Sequence, residues 1–346
     1  MATVVDQPGF TSDMPNDLSP HSLRRRAAVV FAALAALVLI ALLAPGLGEV
    51  REALSHAAIG WVIAGIVLEL ASCASYVLMF RPVFCTRMPW RRSWQIGLSE
   101  LATGSIVPAS GAGGLALGAW VLRRGGMPVG HIARRSVAFF LIKSSVNFVA
   151  VAVVGFVMAI GLVGPHVSLW GSAFPAALSV LMIALVLLLP RLGPGERPGP
   201  ESSRVARGLS AARRSLIDGT AAAIELVKSG NGWLLFGAIG YWLFDNAVLW
   251  ACYQAIGDTP PLTIVLMGYL IGQLGGLLPL PGGVGGIDGG LIGVLVLYSA
   301  PVAGTVAAVL AYRLILFWVP LIAGTPAFVT LWRRMSGVTS PAASPA

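Results

Sequence analysis

Six charged side chains stand inside long apolar stretches of this chain: Glu69, Glu100, Lys143, Asp245, Asp288 and Arg313. A charge at bilayer depth costs at least about 2.5–3.5 kcal/mol, so such residues face a cavity or a partner and mark either a site or an internal ion pair. Two of the acids flank unusual backbone. Asp288 closes the run Pro279-Leu280-Pro281-Gly282-Gly283-Val284-Gly285-Gly286-Ile287-Asp288, and Glu100 shortly precedes Gly104-Ser105-Ile106-Val107-Pro108-Ala109-Ser110-Gly111-Ala112-Gly113-Gly114. Neither stretch can continue a helix, because proline removes a donor and clashes while glycine loses the most backbone entropy. In a bilayer every backbone N–H and C=O needs a partner within the protein, so broken backbone is tolerated only where it is buried or lines a wet cavity. Transporters use such breaks to build binding sites.

The chemistry these residues suit is reversible anion binding. A half-helix restarting after a glycine loop offers unpaired N–H groups and the positive end of its dipole. Lys143 and Arg313 add full positive charge, and phosphate is the obvious membrane-embedded anion. The expected binding groups are Lys143, Arg313, Asp288 and Glu100. The expected breaks comprise Gly104, Pro108, Gly111 and Gly113 in the first stretch, and Pro279, Pro281, Gly282, Gly283, Gly285 and Gly286 in the second. Plainer roles stand beside these. Arg313 with Asp288 or Asp245 would be a buried ion pair locking two helices. Asp288 would cap a helix restarting at Gly289. Glu69, with Ser72 and Ser75, would face a polar groove or bond a neighbour.

The elements that must position these groups follow from composition. The chain has 346 residues, 57% hydrophobic and 11% charged; a soluble domain has roughly 25% charged. Apolar windows run over 27–44, 57–80, 94–122, 136–163, 170–190, 233–256, 262–299 and 302–332. The net charge of +9 comes from arginine pairs and triplets beside these windows, such as Arg24-Arg25-Arg26, Arg91-Arg92, Arg123-Arg124, Arg134-Arg135 and Arg333-Arg334. The positive-inside rule accounts for them, and they do not suggest a nucleic-acid partner. The rule predicts cytoplasmic N- and C-termini in the cell (inner) membrane. The 18-residue run 27–44 is longer than a signal peptide's apolar core, so it is expected as a retained first span.

Two windows resist simple crossing. Both flanks of 94–122 carry arginines, and its 29 residues are too few for two spans of about 20 each. A re-entrant hairpin from the cytoplasmic face resolves both facts. The second broken window, 262–299, would enter from the opposite face. Glu100-Leu101 precedes Pro108 by the spacing at which Gln273-Leu274 precedes Pro281, and a basic residue, Lys143 or Arg313, follows each break in an apolar helix. The pattern fits an inverted-topology repeat; chance likeness between two Gly/Pro-rich stretches is the other reading. The fold class expected is an all-α polytopic membrane protein with about six full transmembrane helices and two re-entrant broken-helix hairpins. Residues 1–22 and 336–346 are expected as disordered tails around a membrane domain over 23–335. Its polar insert 191–230 carries apolar residues near helical spacing, either an amphipathic helix on the inner interface or a loop helix packed on the bundle.

The Pro279–Asp288 run, followed by Ala307-Ala308-Val309-Leu310-Ala311-Tyr312-Arg313-Leu314-Ile315-Leu316-Phe317-Trp318-Val319-Pro320 and Gly324, resembles the C-terminal signature of the lysylphosphatidylglycerol synthase transmembrane (flippase-like) family. The likeness is specific around 275–324, with the Pro108–Leu122 region similar to the family's first glycine motif. It implies a multi-pass inner-membrane protein that moves or handles lipids. It assigns the family's glycine motif to Pro281, Gly282, Gly283 and Gly285, its acid to Asp288 and its Tyr-Arg pair to Tyr312-Arg313, which adds Tyr312 to the expected binding residues. The charged residue that many relatives carry after the first motif is missing from Leu115-Ala116-Leu117-Gly118. The chain ends 14 residues after Trp332, so aminoacyl transfer by a soluble catalytic domain is not expected.

Enzyme chemistry finds little support in the sequence. His21, His56, His131 and His166 are scattered, Cys73, Cys85 and Cys252 have no ligand spacing, and neither a metal nor another cofactor is expected. The function expected is a lipid translocase for an anionic phospholipid, glycolipid or polyprenyl-linked lipid, with membrane lipids as its partners. The same elements would also serve a secondary transporter of a small anion. A non-transporting membrane partner of a lipid synthase or glycosyltransferase is the third reading.

Overall fold

The computed structural model describes residues 20–43, 47–107, 112–164, 168–193, 203–273 and 286–337, and all regular structure among them is helical. The helices are α1 (Pro20–Leu43), α2 (Gly48–Ser55), α3 (Ile59–Phe84), α4 (Trp90–Ile106), α5 (Ala112–Arg124), α6 (Val129–Ala159), α7 (Leu169–Leu188), α8 (Arg204–Lys228), α9 (Gly232–Ile256), α10 (Leu262–Gly272), α11 (Gly286–Leu297) and α12 (Val302–Gly337). Among the described residues α3, α6, α7, α9 and α12 are long and apolar enough to cross a membrane. The run expected as the first span lies in α1, where Val30 and Leu34 pack on Phe317 of α12. This is an all-α polytopic membrane protein.

The long helices approach closely where small residues allow it, the usual means of helix association in lipid. On α9, Gly237 lies against the backbone of Ser75 and Met79, and Gly240 against the Ser75 hydroxyl. At the other end of the pair, Gly65 of α3 meets Val248 and Ala251. Residue numbers therefore rise along one helix as they fall along the other, and α3 and α9 form an antiparallel pair along most of their length. Gly155 of α6 sits against Ser172 and Ala176 of α7, and Gly324 of α12 against Leu98 and Ala102 of α4.

Two apolar cores stack along these helices. One gathers the end of α3 (Tyr76, Met79, Phe80, Phe84), the α4–α5 hairpin (Ile96, Leu117, Trp120), the start of α6 (Phe139, Ile142) and the start of α9 (Leu234, Ala238), with Phe328 and Trp332 of α12 against it. The other gathers the end of α6 (Val151, Met158), the end of α9 (Val248, Cys252, Tyr253), the α10–α11 hairpin (Met267, Leu291, Leu295) and the first half of α12 (Val309, Tyr312). The α4–α5 and α10–α11 pairs thus occupy opposite halves of one bundle. Arg81 stacks on Trp90, 4.6 Å from the ring centroid, and Trp90 packs edge-on against Trp233 at 5.6 Å. An arginine–tryptophan belt of this kind suits one membrane interface.

Both short pairs are built from half-length helices. α10 and α11 have 11 and 12 residues, α4 and α5 have 17 and 13. At 1.5 Å per residue even the longest reaches only about 26 Å, short of a hydrocarbon core of about 30 Å. In the second pair Gly272 faces Leu291 and Gly268 faces Leu295, an antiparallel register across residues 273–285. The first break is shorter than expected. α4 continues through Gly104 to Ile106, and α5 already runs at Ala112, so Gly104 and Gly113 lie inside helices. The apolar neighbours of both segments prolong the helical hydrogen bonding past the glycines, whose cost of about 1 kcal/mol each is small against it. Pro108, Gly111, Pro279, Pro281, Gly282, Gly283 and Gly285 lie outside the described residues.

The polar insert contains α8, capped by Ser203, whose hydroxyl accepts from the Ala206 N–H at 3.1 Å. Its second half packs on the bundle: Ile217, Ala222 and Ala223 are buried, and Gly219 lies against Val137 and the Arg134 carbonyl of α6. Its first half leaves Val205 and Leu209 exposed. Of the two readings of this insert, packing on the bundle describes only the second half.

Candidate functional site

Between the two apolar cores α3, α6, α9 and α12 turn polar. α3 contributes Glu69, Ser72 and Cys73; α6 contributes Lys143 and Asn147; α9 contributes Tyr241, Asp245 and Asn246. The i, i+4 spacings Glu69/Cys73, Lys143/Asn147 and Tyr241/Asp245 set each group on one helical face. Glu69, Asp245 and Asn246 are buried. The hairpins bring in the rest of the layer. Glu100 arrives on α4, Asp288 on α11, and Tyr312 with Arg313 on α12.

Glu100 is almost inaccessible, at 1% exposure. Its Oε2 accepts a hydrogen bond from the Tyr76 hydroxyl at 2.8 Å. Its carboxyl lies directly over Gly118 of α5, where any side chain would displace it, and Gly114 abuts the Glu100 backbone. The α4–α5 hairpin therefore depends on glycine at positions that a helix alone would fill with alanine. The Tyr76 ring packs between Phe139, edge-on at 5.0 Å, and Tyr241, tilted at 5.6 Å. The Lys143 ammonium lies 5.4 Å from the Tyr241 ring centroid and interacts electrostatically with both Glu100 and Asp245.

The second hairpin anchors differently. Arg313 Nε donates to Asp288 Oδ1 at 2.6 Å, with both side chains at least nine-tenths buried. Asp288 is the third residue of α11, which begins at Gly286 rather than Gly289. It stands in the first turn, where a carboxylate complements the helix dipole, and it is not the cap residue. Of the partners weighed for Arg313, Asp288 is the one bonded. Asp245 instead accepts from two phenols, Tyr312 at 3.0 Å and Tyr269. Trp242 Nε1 donates to Asn147 Oδ1 at 3.0 Å, and Asn246 Nδ2 donates to the Trp242 carbonyl at 2.8 Å. The thiol of Cys73 points at Glu69 Oε1, 3.7 Å away.

The structure therefore places Glu100 and Lys143 near one another, and Arg313 against Asp288, with Tyr312 and Asp245 linking the two groups. Glu69, Tyr76, Asn147, Tyr241, Asp245 and Tyr269 belong to the same layer, though sequence reasoning did not select them as binding residues. Their signal was a stripe: Glu69, Ser72, Cys73 and Tyr76 follow i, i+3, i+4, i+7 in an otherwise apolar helix. The layer also differs from the cationic pocket expected from Lys143 and Arg313. Four buried acids face two bases, so acidic groups outnumber basic ones among the described side chains of the layer.

The family described as the lysylphosphatidylglycerol synthase TM region matches residues 27–324, which takes in both hairpins and the whole charged layer. The chain belongs to that family. A UPF0104 membrane protein of Methanothermobacter thermautotrophicus is 29% identical over 102 residues, which is 29% of this chain and 29% of that relative. The matched stretch is thus under a third of the relative's length.

Proposed function

We propose that this family member is a translocase that carries an anionic lipid headgroup between leaflets through the layer joining its two hairpins. The observation that carries the reading is the pairing of half-length hairpins, one in each half of the bundle, with buried charge between them. Helices too short to cross leave backbone groups at their inner ends to be satisfied by a polar cavity or its contents, as at transporter midplanes. Lys143 is the cation that would meet a phosphate, with Arg313 held on Asp288 beside it. Tyr312 and Tyr76 hold the acids that would otherwise repel it.

A lipid is favoured over a soluble anion by the surface of α6 and α7. Ala152, Val153, Phe156, Ala173, Ala177 and Val180 line an apolar groove of about 760 Å³ there. Ligand sites commonly measure about 300–1,000 Å³. An apolar cleft on the lipid-facing side suits a hydrocarbon tail, which a small soluble anion lacks. The proposed substrates are an anionic phospholipid, a glycolipid or a polyprenyl-linked lipid, moved in the cell membrane with both termini on the cytoplasmic side.

The test is headgroup translocation in proteoliposomes containing labelled phosphatidylglycerol. Wild-type protein should accelerate exchange between leaflets, and Lys143→Ala should slow it at least tenfold. Exchange by wild type equal to that of protein-free vesicles would refute the reading.

A further inference from the structure

The charged layer holds more acid than its bases can balance, and the surplus lies in one place. Arg313 is bonded to Asp288. Lys143 then stands against two carboxylates, Glu100 and Asp245, and Glu69 lies beside Asp245. Like charges at close range in a poorly solvated interior repel one another, which makes one carboxylate of a pair the site that binds a proton when further negative charge arrives. The hydrogen bonds say which. Asp245 accepts on Oδ1 from Tyr312 and on Oδ2 from Tyr269, and it faces Lys143 of α6 and Arg313 of α12. Glu100 accepts on Oε2 from Tyr76 and faces Lys143, though its Oε1 has no hydrogen-bond partner among the described residues, and Glu69 has less support than either. Its Oε1 meets only the Cys73 thiol at 3.7 Å, and its Oε2 is a buried oxygen with no hydrogen-bond partner among the described residues. The titratable groups around Glu69 are Cys73 on its own helix, Asp245 and Tyr241 on α9, and Tyr312 on α12.

We propose that Glu69, next to Asp245, is a proton-binding site, and that an anionic headgroup and a proton enter this layer together. The inference rests on the translocase reading and adds its energy coupling. The physical reason is linkage: an anion entering a layer where acids already outnumber bases raises the affinity for a proton there, and bound proton raises the affinity for the anion by the same factor. In the step itself the Glu69 carboxylate takes a proton from hydronium, forming one O–H bond on Oε2 and leaving water. Release to water on the other side breaks the same bond, and no electron moves. A proton is the ligand that fits. A metal cation needs several oxygen ligands at once, and among the described residues no group of three or more His, Cys, Asp or Glu is arranged to hold one.

Two measurements on the full chain test this. In weakly buffered detergent with a pH dye, adding short-chain phosphatidylglycerol should cause uptake of close to one proton per lipid bound. Phosphatidylcholine should cause none, and Glu69→Gln should abolish the uptake. Phosphatidylglycerol binding without proton uptake by wild type would overturn the coupling and leave the translocase reading standing. The second measurement is infrared difference spectroscopy of the reconstituted protein across a pH step, without added substrate. A buried carboxyl band that titrates in wild type and is missing in Glu69→Gln supports the proton site even if phosphatidylglycerol fails to bind, a failure that would count against the translocase reading. A wild-type spectrum with no titrating carboxyl overturns the proton site whatever the lipid does.

Discussion

Removing either partner of the Arg313–Asp288 pair tests how the second hairpin is held. The two side chains are 10% and 6% exposed and 2.6 Å apart, so neither charge has water to return to. Two unit charges about 4 Å apart between centres attract by about 4 kcal/mol at an effective dielectric of about 20. Deleting one partner of such a buried pair costs about 3–5 kcal/mol, because the remaining charge loses an opposite charge that water does not replace. Asp288→Leu and Arg313→Leu should each lose that much stability. The double variant should lose about 2–4 kcal/mol less than the sum of the two, because it strands neither charge. Equilibrium unfolding in mixed micelles, followed by tryptophan fluorescence, would supply all three values. Strictly additive losses would refute the argument, since they would mean that the two charges do not stabilise one another. Full recovery of stability by a double variant that cannot move lipid would separate the pair's structural role from its proposed contact with a headgroup.

Other consequences are as direct. In a background without Cys73, Cys85 and Cys252, the double variant Gly268→Cys/Leu295→Cys should form a disulfide under mild oxidation, because a β-carbon at 268 would stand 3.7 Å from the Leu295 α-carbon; gel mobility before and after reduction reports it. Among the described residues Glu100 Oε1 has no hydrogen-bond partner, so Tyr76→Phe removes the bond Oε2 accepts and should destabilise the protein by about 1–3 kcal/mol in the same unfolding assay. Gly324→Leu would drive a side chain into the Leu98 carbonyl and Ala102 of α4. It should lower the melting temperature clearly, whereas Gly289→Ala, with open space beside it, should leave the melting temperature close to wild type. Gly118→Ala should displace the Glu100 carboxyl and slow phosphatidylglycerol exchange in the proteoliposome assay.

Much of this architecture was legible from local composition. Long apolar runs flanked by arginine demand helices that satisfy their own backbone, so the all-α, multi-spanning class follows from residue type alone. The short hairpin helices were legible for the same reason: Pro108 and Pro281 sit in glycine-rich sequence that leaves fewer than about 20 residues to either flank, too few for a full crossing. The boundaries were not. Gly104 and Gly113 read as breakers, yet both lie in helix, because neighbouring apolar contacts outweigh a glycine's propensity. The pairing of charges was equally illegible. Asp245 and Asp288 were equivalent candidates for Arg313 along the chain, and only the packing of α11 on α12 selects Asp288, while two tyrosines from α10 and α12 claim Asp245. The sign of the layer depended on the same step. Counting Lys143 and Arg313 in their own segments suggested a cationic pocket. Tertiary packing adds Glu69 and Asp245 from α3 and α9, whose close antiparallel approach at Gly237 and Gly240 places both acids where the bases are. Charge types are local facts of sequence, but net charge in a buried volume is a sum over helices that only folding brings together.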